Sequence, residues 1–242
     1  MPGSAAHKQG MSPQPQHPLS RPVWHSLHQG WAHLALRHGG AARLPADYGP
    51  FAALAPGADP ADLAGLAQPG EELWLVEPEP AAAPPGFTVT RTAQLLQMLA
   101  PIAPVTVDDG LAVVPLGDAD ASAMQALAAL TQPGPFGPQT HRLSQFLGVK
   151  DAAGRLLTMA GERMHFDGHA EVSGVCTHPE AQGRGLAAAL SRRIMARIMA
   201  RGQRPFLHVW PHNHGAIALY ERLGLARSGA PWLTVVGRDM VD

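Results

Sequence analysis

A strand-like run, Ala170 to Thr177, leads into the turn Gln182-Gly183-Arg184-Gly185-Leu186-Ala187, which opens an amphipathic helix. Strand, glycine turn and helix N-terminus in that order are an α/β element with a built-in anion site. The turn's N–H groups point outward, and the helix dipole favours negative charge. The helix is marked by Leu186, Leu190, Ile194 and Ile198 at four-residue steps, joined by Met195 and Met199. Arg193, Arg197 and Arg201 fall on another face, which reads as solvated, and Gly202 stops the helix.

The sequence on either side extends this pattern. Leu111 to Leu116 reads as a strand, and Asp118 as the cap of a helix from Ala119 to Leu130. Pro133-Gly134-Pro135 forms a rigid loop, and Thr140 caps a short helix through Phe146. Gly148 to Lys150, Leu156 to Phe166 and Ala170 to Thr177 make an antiparallel meander, turning at Asp151 to Gly154 and at Asp167-Gly168. Phe206 to Trp210 is a buried strand, Asn213 caps a helix closed by Gly224, and Trp232 to Val236 is a last strand. The expected fold is α/β, a mixed and mostly antiparallel sheet flanked by helices.

The first 100 residues are less informative. Residues 1–20, rich in Pro, Gln, Ser and Gly, are expected to be a disordered tail, and 21–102 an accessory domain. Trp24, Leu27 and Trp31 have helical spacing, and Asp59-Pro60 opens a helix through Leu66. Leu73 to Val76 and Phe87 to Thr92 read as strands, separated by a Pro/Ala-rich loop from Glu77 to Gly86. No chemistry-bearing cluster occurs in this half. Residues 103–242 form the second domain.

A net charge of −1 argues against a nucleic-acid partner bound by bulk electrostatics. No apolar run spans a bilayer, and no apolar core follows His7 and Lys8, so neither a membrane partner nor a secretory signal is expected. One cysteine, Cys176, fits a reducing compartment, and the expected location is cytoplasmic.

Three ligands compete for the glycine turn. A P-loop needs Lys-Ser or Lys-Thr after its last glycine, and Leu186-Ala187 cannot serve. Gly183, Gly185 and Ala188 satisfy the loose dinucleotide form G-x-G-x-x-A. That form needs an acidic residue about 20 positions on, and none occurs between Glu180 and Glu221. The third reading joins Gln182, Gly185 and Ala187 (Q-x-x-G-x-A) to Asn213, Ala216 and Leu219-Tyr220-Glu221-Arg222-Leu223-Gly224-Leu225. On these two motifs the chain resembles the GNAT superfamily of acyl-CoA N-acyltransferases over about Val105 to Asp242. The runs Ala160 to Met164 and Glu171 to Pro179 are similar to the glycine-N-acyltransferase-like branch, whose members can carry a degenerate second copy of the fold at the N-terminus.

The resemblance implies acetyl-CoA as cosubstrate, with no metal. Its pyrophosphate would sit on Gln182, Gly183, Arg184, Gly185, Leu186 and Ala187, with Asn213 nearby. Its pantetheine would pair with Val175, Cys176 and Thr177, where the family's fourth strand splays from the fifth. The Val175 N–H would polarise the thioester carbonyl, and the Tyr220 phenol would act as the acid that gives a proton to the departing thiolate. Glu171 or its rival Glu162 would be the base. The acceptor is a small-molecule or peptide amine, attacked directly, in a monomer or homodimer. A non-catalytic acyl-CoA sensor is the alternative reading. His208, His212 and His214 lack metal-ligand spacing, though His208 is placed to touch substrate. Phe136 and Phe146 either line the acceptor pocket or belong to the core.

Overall fold

The computed structural model describes residues 17–101, 107 and 110–240. Most of the expected tail, and the boundary expected at 102/103, lie outside the described residues. His17 already caps a 3₁₀ turn, Pro18–Ser20.

Helix α1 (Pro22–His28) starts on its proline and buries Val23 and Leu27. Three short strands follow, β1 (Leu36–His38), β2 (Ala41–Arg43) and β3 (Ala52–Leu54), forming a small sheet in that order. They are absent from the sequence reading because alanine, their commonest residue, has weak strand preference. The segment opened by Asp59 is a 3₁₀ helix, Pro60–Gly65, and Asp59 accepts from the Ala61 N–H at 2.9 Å. Strands β4 (Glu72–Glu77) and β5 (Phe87–Gln94) appear where expected, the second extending beyond Thr92. Strand β6 (Leu96–Leu99) was not anticipated. Its central residues Gln97 and Met98 are both buried, so it shows no alternation.

The C-terminal half holds β7 (Val114–Leu116), α2 (Ala121–Thr131), β8 (Phe146–Lys150), β9 (Leu156–Phe166) and β10 (His169–Thr177). After them come α3 (Leu186–Ala200), β11 (Arg204–Val209), α4 (His214–Arg222), β12 (Ala226–Gly229) and β13 (Trp232–Arg238). Two expected caps act otherwise. Asp118 binds His141 and Arg142 instead of a helix end, while Asp120 accepts from the Gly117 N–H. Thr140 lies inside a 3₁₀ turn ending at Leu143, and Phe146 starts a strand.

Seven strands form the main sheet in the order β12-β6-β11-β10-β9-β8-β7, and β4-β13-β5 form a third sheet. Within the main sheet only β10 and β11 run parallel. The two halves therefore exchange strands. β6, from the first half, lies between β11 and β12, and β13, from the second half, lies between β4 and β5. A division at 102/103 does not separate the sheets. The expected apolar stripe of α3 is buried against the main sheet, with Leu190, Ile194 and Ile198 packed on Met98, Ala170, Val172 and Leu207. On the opposite face α1 packs on the sheet through a cluster containing Val23, Leu27, Trp31, Met164, Phe166 and Phe206.

Candidate active site

β10 and β11 pair at only three positions, the last being Glu171↔Phe206. Beyond that point β10 stays with β9 as far as Thr177, while β11 pairs with β6 through Val209. The two strands splay, and a cleft of about 740 Å³ opens in the wedge. The β9–β10 register slips between Ser173 and Cys176, so Gly174 and Val175 have no ladder partner. Gly174 sits at φ 62°, and a Cβ there would meet the Phe146 ring at 2.7 Å, so this bulge needs glycine. Phe146 is buried beneath it with Phe136 packed edge-on at 5.7 Å, and neither ring lines the main cleft.

The glycine turn closes one end of the wedge. Gly183 and Gly185 both lie at φ 75° with open space around them, so it is backbone conformation that requires glycine there. Gly185 is the N-cap of α3 and supplies no side-chain cap, which leaves the first-turn N–H groups available to a ligand. Gln182, Gly183, Gly185, Leu186 and Ala187 line the cleft. Arg184 is exposed and outside the lining, contrary to its expected place in the site. Asn213 lines the cleft and caps α4, accepting from the Ala216 N–H at 3.1 Å.

Val175, Cys176, Thr177 and Tyr220 face the same cleft. The Tyr220 side chain is buried, and its hydroxyl has no hydrogen-bond partner among the described residues. Burial first, then the nearby Cys176 and Glu171, push its phenol well above the usual tyrosine range. Burial likewise pushes the Cys176 thiol up to about 11, against a hydrogen bond with Thr131. It stays a thiol at neutral pH and is no nucleophile.

Neither glutamate is a free base. Glu171 is 1% exposed, and Arg163 donates Nε and Nη2 to its two oxygens at 2.8 and 2.9 Å. His208 Nδ1 lies 2.8 Å from the same carboxylate. Burial alone would raise this carboxyl, but the Arg163 charge and the hydrogen bonds from His208 and Arg163 outweigh it and hold it at about 2. A carboxylate so stabilised does not accept a proton near neutrality. The row continues to Gln97, whose Nε2 is 3.2 Å from His208 Nε2 and 3.0 Å from the Leu19 carbonyl. A Gln97 donor there leaves His208 with its proton on Nδ1, toward Glu171. His208 and Arg163 line the cleft, and Glu171 lies behind them.

Glu162 faces the other way. Arg197 Nε, from α3, donates to it at 2.8 Å, and Arg201, at the C-cap of α3, also binds it. Those arginines, read as a solvated face, anchor the helix to β9, and Glu162 is absent from the cleft. Alternation puts Glu162 and Arg163 on opposite faces of the strand. The sequence reading missed Arg163 as the partner of Glu171. Counting outward from the Asp167-Gly168 turn sets Glu171 opposite Met164 and Arg163 on the other face. The register slip between Ala170 and Val172 brings Arg163 beside Glu171, and no local sequence signal marks it.

The described residues contain no group of three or more His, Cys, Asp or Glu that could hold a metal, and no helix long and apolar enough to cross a membrane.

Known proteins share this fold. Residues 147–231 match the family model described as FR47-like protein. A crystal structure of a GNAT-family protein from Novosphingobium aromaticivorans DSM 12444 is 49% identical with a TM-score of 0.87, covering 93% of this chain and 100% of the other. A GCN5-related N-acetyltransferase from Kribbella flavida shares the fold at 21% identity and TM-score 0.56, over 88% of this chain and 93% of its own. A search of the curated proteins found no match.

Proposed function

The chain belongs to the GNAT family of acetyltransferases, and from that premise we propose that it passes an acetyl group from acetyl-CoA directly to an amine held in the β10/β11 wedge. The observation that carries this reading is the wedge itself, lined by the bulged Val175 and closed by the glycine turn at the start of α3. The uncapped N–H groups after Gly185 suit a pyrophosphate without a metal. Val175, Cys176 and Thr177 offer an extended edge to the amide-rich arm of the coenzyme.

Val175 N–H donates to the thioester oxygen as that oxygen gains charge. Tyr220 O–H donates to the sulfur as the C–S bond breaks. A phenol raised by burial is a weaker acid than a thiol of about 8.5, so Tyr220 acts by hydrogen bonding and stays protonated. The C–N bond forms, the C–S bond breaks, and the proton lost by the amine ends on the coenzyme thiol. With Glu171 held by Arg163 and Glu162 on the other face, it is water in the cleft that takes the earlier proton, the one the acceptor's ammonium form loses to become the neutral attacking amine. The alkaline rise of kcat/KM then follows the acceptor amine's own pKa and moves when the acceptor is changed. A rise unchanged across acceptors would return the role to a protein base.

Calorimetry with CoA, together with thiol release from acetyl-CoA over an amine panel, tests the reading. Binding without turnover of any amine would favour the non-catalytic sensor, and absence of binding would defeat both.

A further inference from the structure

Past the splayed strands the cleft runs into a chamber walled by the N-terminal half. Its surfaces are Phe51, Trp74, Val76 and Leu95, with Trp210 after β11 and Leu233 from the exchanged strand β13. Phe51 and Trp74 are joined by a parallel bridge and pack edge to face at 6.2 Å. Arg91 lies 5.0 Å over Trp74 and 5.7 Å from Trp210, bracing both rings from outside. Among the described residues that line the cleft there is no aspartate or glutamate, and two are arginines, Arg163 and Arg222.

Arg163 stands where the chamber meets the wedge. Its Nε and Nη2 are taken by Glu171, while Nη1 has no hydrogen-bond partner among the described residues. Its guanidinium carbon is 4.7 Å over the Phe51 ring. The loop passes beside Nη1 at Gly134, where a Cβ would lie 3.8 Å from that nitrogen, an ordinary contact that leaves it uncapped.

We propose that the acceptor is an apolar or aromatic amino acid, its side chain against Phe51, Trp74 and Leu233 and its carboxylate on Arg163 Nη1. This rests on the acetyltransferase reading and narrows it. An aromatic body gains by leaving water for these rings and by edge-to-face contact. A carboxylate on Nη1 makes a charge-assisted bond that no neutral group matches. One ammonium is tolerated beside ring faces, but a polyamine or a lysine-rich peptide would place further charges in a low-dielectric space without an anion to pair them.

The test compares acetyl transfer by the full chain to L-phenylalanine, L-leucine, L-phenylalaninamide, phenethylamine, glycine and spermidine. Expected is a kcat/KM for phenylalanine and leucine about 10-fold or more above the amide, phenethylamine and glycine, and about 100-fold above spermidine. Trp74→Ala should raise KM for phenylalanine about 10-fold, with the calorimetric Kd for CoA unchanged. Preference for spermidine, or equal use of phenylalanine and its amide, would overturn the chamber assignment while leaving the acetyltransferase standing. Tight CoA binding with no acceptor turned over would remove both.

Discussion

The two ends of the cleft are built in opposite ways. The cofactor end is local: Gly174 to Thr177, the turn at Gly183 and Gly185, and the start of α3 follow one another along the chain, with α4 beside them. Its chemistry is mostly backbone, and its glycines are required by positive φ. The end proposed for the acceptor is assembled from Phe51, Trp74, Leu95, Arg163, Trp210 and Leu233, each on a different segment. A ligand shared by many enzymes is met by a local motif. A ligand particular to one enzyme is met by surfaces that only packing brings together.

Separating the halves should break this comparison most severely. A chain of residues 103–242 lacks β6, the strand that joins β11 to β12, and leaves β13 without β4 and β5. It should show no cooperative thermal transition, and a folded, CoA-binding fragment would mean that the cofactor end is independent after all.

Glu171→Gln should come next, because it leaves Arg163 partly buried without its counter-charge. About 3–5 kcal/mol of stability should be lost in urea unfolding, with the alkaline rise of kcat/KM kept. The same carboxylate makes the wild type acid-sensitive. Its pKa is about 2 folded, against 4.5 for an ordinary glutamate, so the unfolded state binds the extra proton between those values. Stability should therefore be fully present above pH ~4.5 and fall by on the order of 3 kcal/mol as pH drops toward ~2. Urea unfolding across that range checks it, and an equal slope in Glu171→Gln would show that other groups are responsible.

The remaining changes separate the two ends by function. Tyr220→Phe should lower kcat about 100-fold with CoA affinity unchanged by calorimetry, and an unaltered kcat would remove the phenol from the reaction. Gly185→Ala forces a Cβ into a left-handed position at a cost of about 1–2 kcal/mol. CoA affinity should weaken about 10-fold, while KM for the acceptor stays as it was.

Legibility followed the same division. The α3 stripe, the hairpin from β9 to β10 and the Asn213 cap could be read because a local period or a capping residue marks each one. β6 could not, since its residues are buried without alternation, and β1 to β3 could not, since alanine hides a strand. Glu171 and Glu162 stay rival bases in the sequence because position on a strand says nothing about what lies beside it. Arg163 and His208, on the neighbouring strands, make Glu171 a fixed anion instead.

The residues by themselves determined the strand–turn–helix unit and its uncapped helix start, because helical period, capping and positive-φ glycine act over a few neighbouring positions. Tertiary structure alone decided that neither glutamate lines the cleft, which cations neutralise each of them, and that two distant halves share strands around the cleft. Those outcomes depend on register and strand order, which no single stretch of chain encodes.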